Sequence, residues 1–247
     1  MESTFNQDIL DDLSQNPEKL TIVDRLNRNI LFHSEVPYHY KDKLVELYPE
    51  ALKQVDVFGA NILFYNTIKD CYKEKLVELY PESLKCECPM GQNILFFNEI
   101  SDRYKDKLVE LYPEELKHTD DYGKTILFYL YIDYKYKDKL IELYPEELKH
   151  TDRDLYTILF HDSEVDDKYK DLLIEKYPES LKSLDSQGQN ILFSYGSGMK
   201  YTDLLVKRYP ESLGHLDYEG RSILFYDGAK KKYKKKLMRL LREKKWK

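Results

Sequence analysis

The tripeptide Ile-Leu-Phe begins at Ile30, Ile62, Ile94, Ile126, Ile158, Ile191 and Ile223, at intervals of 32 residues with a single interval of 33. Seven copies in register predict an array of one small supersecondary unit, because a unit of this size cannot bury its apolar face without stacking on its neighbours. Pro17, Pro49, Pro81, Pro113, Pro145, Pro178 and Pro210 keep the same beat. The extra residue falls between Phe160 and Tyr169, which marks that stretch as a loop.

Each Ile-Leu-Phe is preceded by Asn29, Asn61, Asn93, Thr125, Thr157, Asn190 or Ser222. These side chains accept hydrogen bonds from the free amides of a helix's first turn, so a helix is expected to start at every copy. Two residues earlier stand Gly59, Gly91, Gly123, Gly188 and Gly220, with Asn27 in the first unit. Those residue types tolerate positive φ, and with Asp three positions before them they predict a tight turn leading into the helix. Leu155 fills the glycine slot of the fifth unit, where it must either strain or alter the turn. A second helix is expected where Tyr136, Leu140 and Leu143 share one face and Lys137, Lys139 and Glu142 lie off it. It ends at Tyr144, since a residue before proline is disfavoured in α conformation, and Leu148 should tuck an exit strand back onto the stack.

The expected fold is all-α, a helical repeat solenoid of about seven helix-loop-helix units of 32–33 residues. Its boundaries are 1–23 for an N-terminal cap with Ile9, Leu10 and Leu13, 24–229 for the repeats, and 230–247 for a basic capping helix. In that last helix Tyr233, Leu237 and Leu240 keep the apolar spacing. The unit Asp120-x-x-Gly123-x-Thr125-Ile126-Leu127-Phe128 resembles the ankyrin repeat, whose pattern is Asp-x-x-Gly-x-Thr-Pro-Leu-His. The resemblance covers residues 24–247. It departs from the family in Ile for the helix-opening Pro, Phe for His, no paired alanines, and Tyr-Pro-Glu at the exit. The resemblance implies a partner-binding protein that uses its turn tips and a concave groove.

The 9 glycines and 9 prolines are spread at intervals, leaving no linker, so one continuous body is expected. The first residues lack a basic start followed by an apolar run, and no stretch of about 18 uncharged apolar residues occurs. A cytoplasmic protein without a membrane span is therefore expected, in a host cell if it is an effector or viral protein, as a monomer or weak oligomer. Three cysteines fit reduced thiols better than a disulfide framework. The net charge of −6 conceals an asymmetry: residues 230–247 hold 11 Lys or Arg and one acid, leaving 28 basic and 44 acidic residues in 1–229. An acidic body favours a partner with a basic patch and disfavours nucleic acid in the groove, while the basic tail could attract polyanions or acidic membranes.

Of 23 tyrosines, thirteen recur at repeat positions and are read as packing residues. The remainder lie on turns or between the repeating Phe and the second helix, where units differ most. Tyrosine gives contact area and a hydrogen bond at low entropic cost. The candidate partner-binding residues are Phe58, Tyr65, Met90, Phe97, Tyr122, Tyr129, Tyr131, Tyr156, His161, Tyr195, Tyr218 and Tyr226. For Tyr65, Tyr129 and Tyr226 a core position competes with this assignment.

Catalytic and cofactor chemistry is not expected. Cys86-x-Cys88 lacks the second ligand pair of a structural zinc site. The histidines, such as His118 and His150 one repeat apart, follow from duplication, and no phosphate loop, nucleophile elbow or His-Glu-x-x-His is present. The expected function is non-enzymatic protein recognition, as in an effector or an inhibitor.

Overall fold

The computed structural model describes residues 16–161, 164–194 and 196–243, so Ile9, Leu10, Leu13, Tyr195 and residues 244–247 lie outside it. Among the described residues all regular structure is helical. Among them seven α-helices follow one per repeat: α1 Tyr38–Leu47, α2 Asp70–Leu79, α3 Asp102–Leu111, α4 Tyr134–Leu143, α5 Asp167–Lys176, α6 Met199–Arg208 and α7 Lys231–Arg242. The chain is an all-α helical-repeat solenoid that divides into two compact units, Met1–Asp120 with α1–α3 and Asp121–Lys247 with α4–α7.

The proline beat ends the helices as expected. Tyr144 leaves the helix at φ −136° and ψ 69°, and its neighbours before Pro behave alike. The chain then enters a 3-10 turn, as at Pro145–Lys149, and not a strand. Leu52, Leu84, Leu116, Leu148, Leu181 and Leu213 on these turns are all fully buried.

The Ile-Leu-Phe segments correct a prediction. Six of the seven copies form single 3-10 turns, as at Ile62–Phe64 and Ile126–Phe128, and residues 191–193 a simple turn, instead of opening a helix. The chain turns again at once, with the Ile68 amide bonded to the Tyr65 carbonyl at 3.2 Å and Ile132 to Tyr129 at 3.4 Å. That second turn leaves no room for further helical residues.

The asparagines before Ile-Leu-Phe cap these turns and also tie repeats together. Asn61 Oδ1 accepts from the Leu63 amide at 2.9 Å, while its Nδ2 donates to the Ser83 carbonyl of the next repeat at 2.7 Å. Asn29, Asn93 and Asn190 make the same pair of bonds. Thr125 and Thr157 do not, and among the described residues their buried hydroxyls have no hydrogen-bond partner.

A second correction concerns the buried face of the α-helices. α4 buries Tyr136, Lys137, Leu140 and Ile141, whereas Leu143 is 41% exposed. The helix tyrosines reach back to the preceding helix, Tyr72 donating to Asp42 at 2.7 Å and Tyr169 to Asp138 at 2.9 Å. Lys137, expected to be solvated, is 0% exposed, with Nζ 5.8 Å from the centre of the Tyr169 ring and donating to the Tyr129 carbonyl. Burial lowers its pKa to about 8. Lys41, Lys73, Lys105 and Lys170 fill the same slot and are buried as well.

Candidate recognition surface

An aspartate builds most of the turns, and Cys88 takes its slot in the turn of Met90. Asp56 Oδ1 accepts from the amides of Phe58 at 2.8 Å and Ala60 at 3.0 Å, and the Asp56 amide bonds the Ala60 carbonyl at 3.0 Å. Gly59 closes the turn at φ 84°. Asp24, Asp152, Asp185 and Asp217 repeat the carboxylate pattern. With these backbone groups satisfied locally, the side chains at the two tip positions can face solvent.

Neighbouring tips are joined by single backbone bonds. The Val57 amide reaches the Leu26 carbonyl at 2.9 Å in the first unit. In the second, Arg153 reaches Tyr122 at 3.0 Å, Ser186 reaches Asp154 at 2.8 Å, and Tyr218 reaches Gln187 at 3.1 Å. Pro89 occupies the donor slot after Phe58 and has no N–H to give, so the row of bonds is interrupted there.

The expected tip residues are exposed: Phe58 by 54%, Met90 by 49%, Tyr122 by 62% and Tyr218 by 75%, and Tyr131 beyond the Phe by 53%. The two units differ in what accompanies them. In the first, Leu26 and Val57 are also exposed, which makes the tips apolar. In the second, exposed Asp121, Asp154 and Glu219 stand beside the tyrosines.

The candidates just after the repeating Phe are half-buried and engaged. Tyr65 stands edge-on to Phe32 at 5.1 Å, Phe97 to Phe64 at 5.3 Å, His161 to Phe128 at 5.5 Å and Tyr226 to Phe193 at 5.3 Å. Within each unit these rings pack on the Phe of the preceding repeat. Tyr65 and Tyr226 also donate their hydroxyls to the second oxygens of Asp56 and Asp217. Burial, then the Asp56 carboxylate, pushes Tyr65 up to about 12. His161 Nδ1 lies 3.1 Å from Glu164, and burial followed by the Lys124 charge lowers its pKa. Tyr156 stacks on Phe160 at 5.0 Å, and Tyr129 lies 5.4 Å from the Tyr131 ring. Tyr195 lies outside the described residues.

His118, His150 and His215 have a common task, holding the carbonyls of Gly91, Gly123 and Gly188 at 2.6, 2.8 and 2.7 Å. Cys86 fills the same slot, its Sγ 2.9 Å from the Gly59 carbonyl, and burial raises its thiol pKa. Among the described residues no group of His, Cys, Asp and Glu is arranged to hold a metal ion, and no helix is long and apolar enough to cross a membrane.

Sequence reasoning missed two exposed features. Phe225 belongs to an Ile-Leu-Phe copy yet is 74% exposed. Leu47, Leu79 and Leu111 are 48, 46 and 42% exposed, and Leu111 lines an open groove of about 440 Å³ with Val77, Pro81 and Tyr104. A leucine at a helical apolar spacing gives no sign of which flank its helix buries. No protein-family model matches the chain, and no curated protein is significantly similar to it.

Proposed function

We propose that this chain is a divergent ankyrin-like scaffold that recognises another protein through its turn tips, without catalysis. The observation that carries the reading is the set of large tip side chains, 49–75% exposed, on tight turns that an aspartate locks at Phe58 and at Tyr218. Exposed aromatic and apolar groups on a rigid support lose little entropy on binding and supply the anchors of an interface. Asp121, Asp154 and Glu219 beside the tyrosines, with the acidic excess of residues 1–229, favour a partner that offers basic side chains. A basic groove of a nucleic-acid-handling protein is one such surface, which accords with an inhibitor or effector acting in the cytoplasm.

The test compares capture by the intact protein with capture by a Phe58→Ser/Met90→Ser/Tyr122→Ala/Tyr218→Ala variant over a salt series. The expected result is a protein held by the first, released by salt, and at least about ten-fold depleted on the second, equivalent to about 1.4 kcal/mol. Equal recovery on both would sink the assignment.

A further inference from the structure

A repeated contact joins successive helices of the second unit. Asp138 accepts from Lys168 at 2.6 Å and Tyr169 at 2.9 Å, Asp171 from Lys200 at 2.5 Å and Tyr201 at 3.0 Å, and Asp203 from Lys232 at 2.6 Å and Tyr233 at 2.8 Å. In α7 the aspartate slot holds Lys235, and the slot of Glu142 holds Arg239. Seven of the twelve α7 residues are Lys or Arg and none is acidic. Tyr233 and Leu237 bury the opposite side at 3% and 2% exposure. At about 100° per residue, Lys231, Lys235, Arg239 and Arg242 fall within one arc facing away from that seam. All four are exposed, and Lys231, Lys235 and Arg242 have no acidic partner among the described residues; Arg239 lies 4.0 Å from Glu243.

We infer that the outer face of α7 binds the phosphate backbone of single-stranded nucleic acid, at a site separate from the turn tips. The cations succeed one another along the helix by about 6 Å at four-residue spacing, a stride that lets each meet a different phosphate. Met238 and Leu241, 40% and 50% exposed beside them, offer apolar contact to bases that a duplex would hide. A membrane surface fits less well, because an interfacial helix sinks an apolar face into lipid, and in α7 that face is spent on the core. The acidic remainder of the chain repels polyanions, which confines contact to this helix.

The test measures fluorescence anisotropy of a labelled 20-nucleotide single-stranded DNA titrated with the full chain at several KCl concentrations. Four phosphate contacts predict a slope of log K against log salt of about −3. Lys231→Gln/Lys235→Gln/Arg242→Gln should flatten the slope to about −1 and weaken binding at low salt by at least about ten-fold. Lys168→Gln, which removes a cation already held by Asp138, should leave it unchanged. These are exposed positions, and the thermal midpoint of each variant reports that the fold is kept. The inference is overturned by salt-independent or absent binding, by an unchanged triple variant, or by tighter binding to duplex DNA or to phosphatidylserine vesicles at equal phosphate concentration.

Discussion

Tyr169 donates its hydroxyl to Asp138 Oδ1 at 2.9 Å across the gap between α4 and α5, and Lys168 meets the same carboxylate at 2.6 Å. The Tyr169 ring is fully buried, and among the described residues its hydroxyl has that one oxygen as its hydrogen-bond acceptor. Burial would raise the Asp138 pKa, but the bonds from Lys168 and Tyr169 outweigh it and hold the carboxyl below its ordinary value of 3.8. A depressed carboxylate contributes stability that is present above its unfolded pKa and lost as pH falls through the folded one. Asp138→Ala is expected to cost about 1–2 kcal/mol at neutral pH, with the difference from the native protein shrinking below about pH 4. Urea unfolding at pH 7 and pH 3 checks both parts.

Lys137 gives the opposite pH signature. Its folded pKa, about 8, lies below its ordinary 10.5, so between those values the unfolded chain binds more protons than the folded one. Stability attributable to this group therefore rises from about pH 8 to about pH 10.5. Replacing it with Met should remove that component: the difference between native and Lys137→Met unfolding free energies changes between pH 7 and 10 in favour of the native protein. An unchanged difference would mean that the amine is not desolvated.

Thr125 sits where asparagine elsewhere makes two bonds, and its own hydroxyl is buried without one. Thr125→Asn should cap the Leu127 amide and reach the Glu147 carbonyl, by analogy with Asn61 and Ser83. A gain of about 1 kcal/mol is expected, read as a rise of about 2–4 °C in thermal midpoint.

Leu155 keeps the turn at φ 61°, a conformation costly for a side chain with Cβ, and it is 47% exposed. Leu155→Gly should stabilise by about 1 kcal/mol, while Gly188→Ala should destabilise by at least as much. At Gly188, φ is 75° and an added Cβ would lie 2.5 Å from the Tyr218 ring. Thermal denaturation of the two variants should move in opposite directions.

The repeat, the helix ends at Tyr-Pro and the positive-φ turns were legible because each rests on a local rule carried by one or two residues, such as Pro145 or Gly123. The 3-10 turn at Ile126–Phe128 was not, because a competing turn just beyond it decides its length. Lys137 and Leu143 exchanged places for a tertiary reason: a helix stacked in an array buries a second flank, and there a long lysine can still find a carbonyl. At the candidate surface, the tips Phe58, Met90, Tyr122 and Tyr218 were recognisable from the turn pattern. Tyr65 and Tyr226 were ambiguous because the Asp that fixes the turn also has a spare oxygen for their hydroxyls.

Recognition through the tips is tested most directly by amide hydrogen exchange of the chain with and without its captured partner. Slowed exchange is expected at Val57–Phe58 and Met90–Gly91 in the first unit, or at Asp121–Tyr122 and Tyr218–Glu219 in the second, with α1–α7 unchanged. Protection confined to the helix faces around Leu47, Leu79 and Leu111, with the tip amides exchanging as in the free protein, would contradict it.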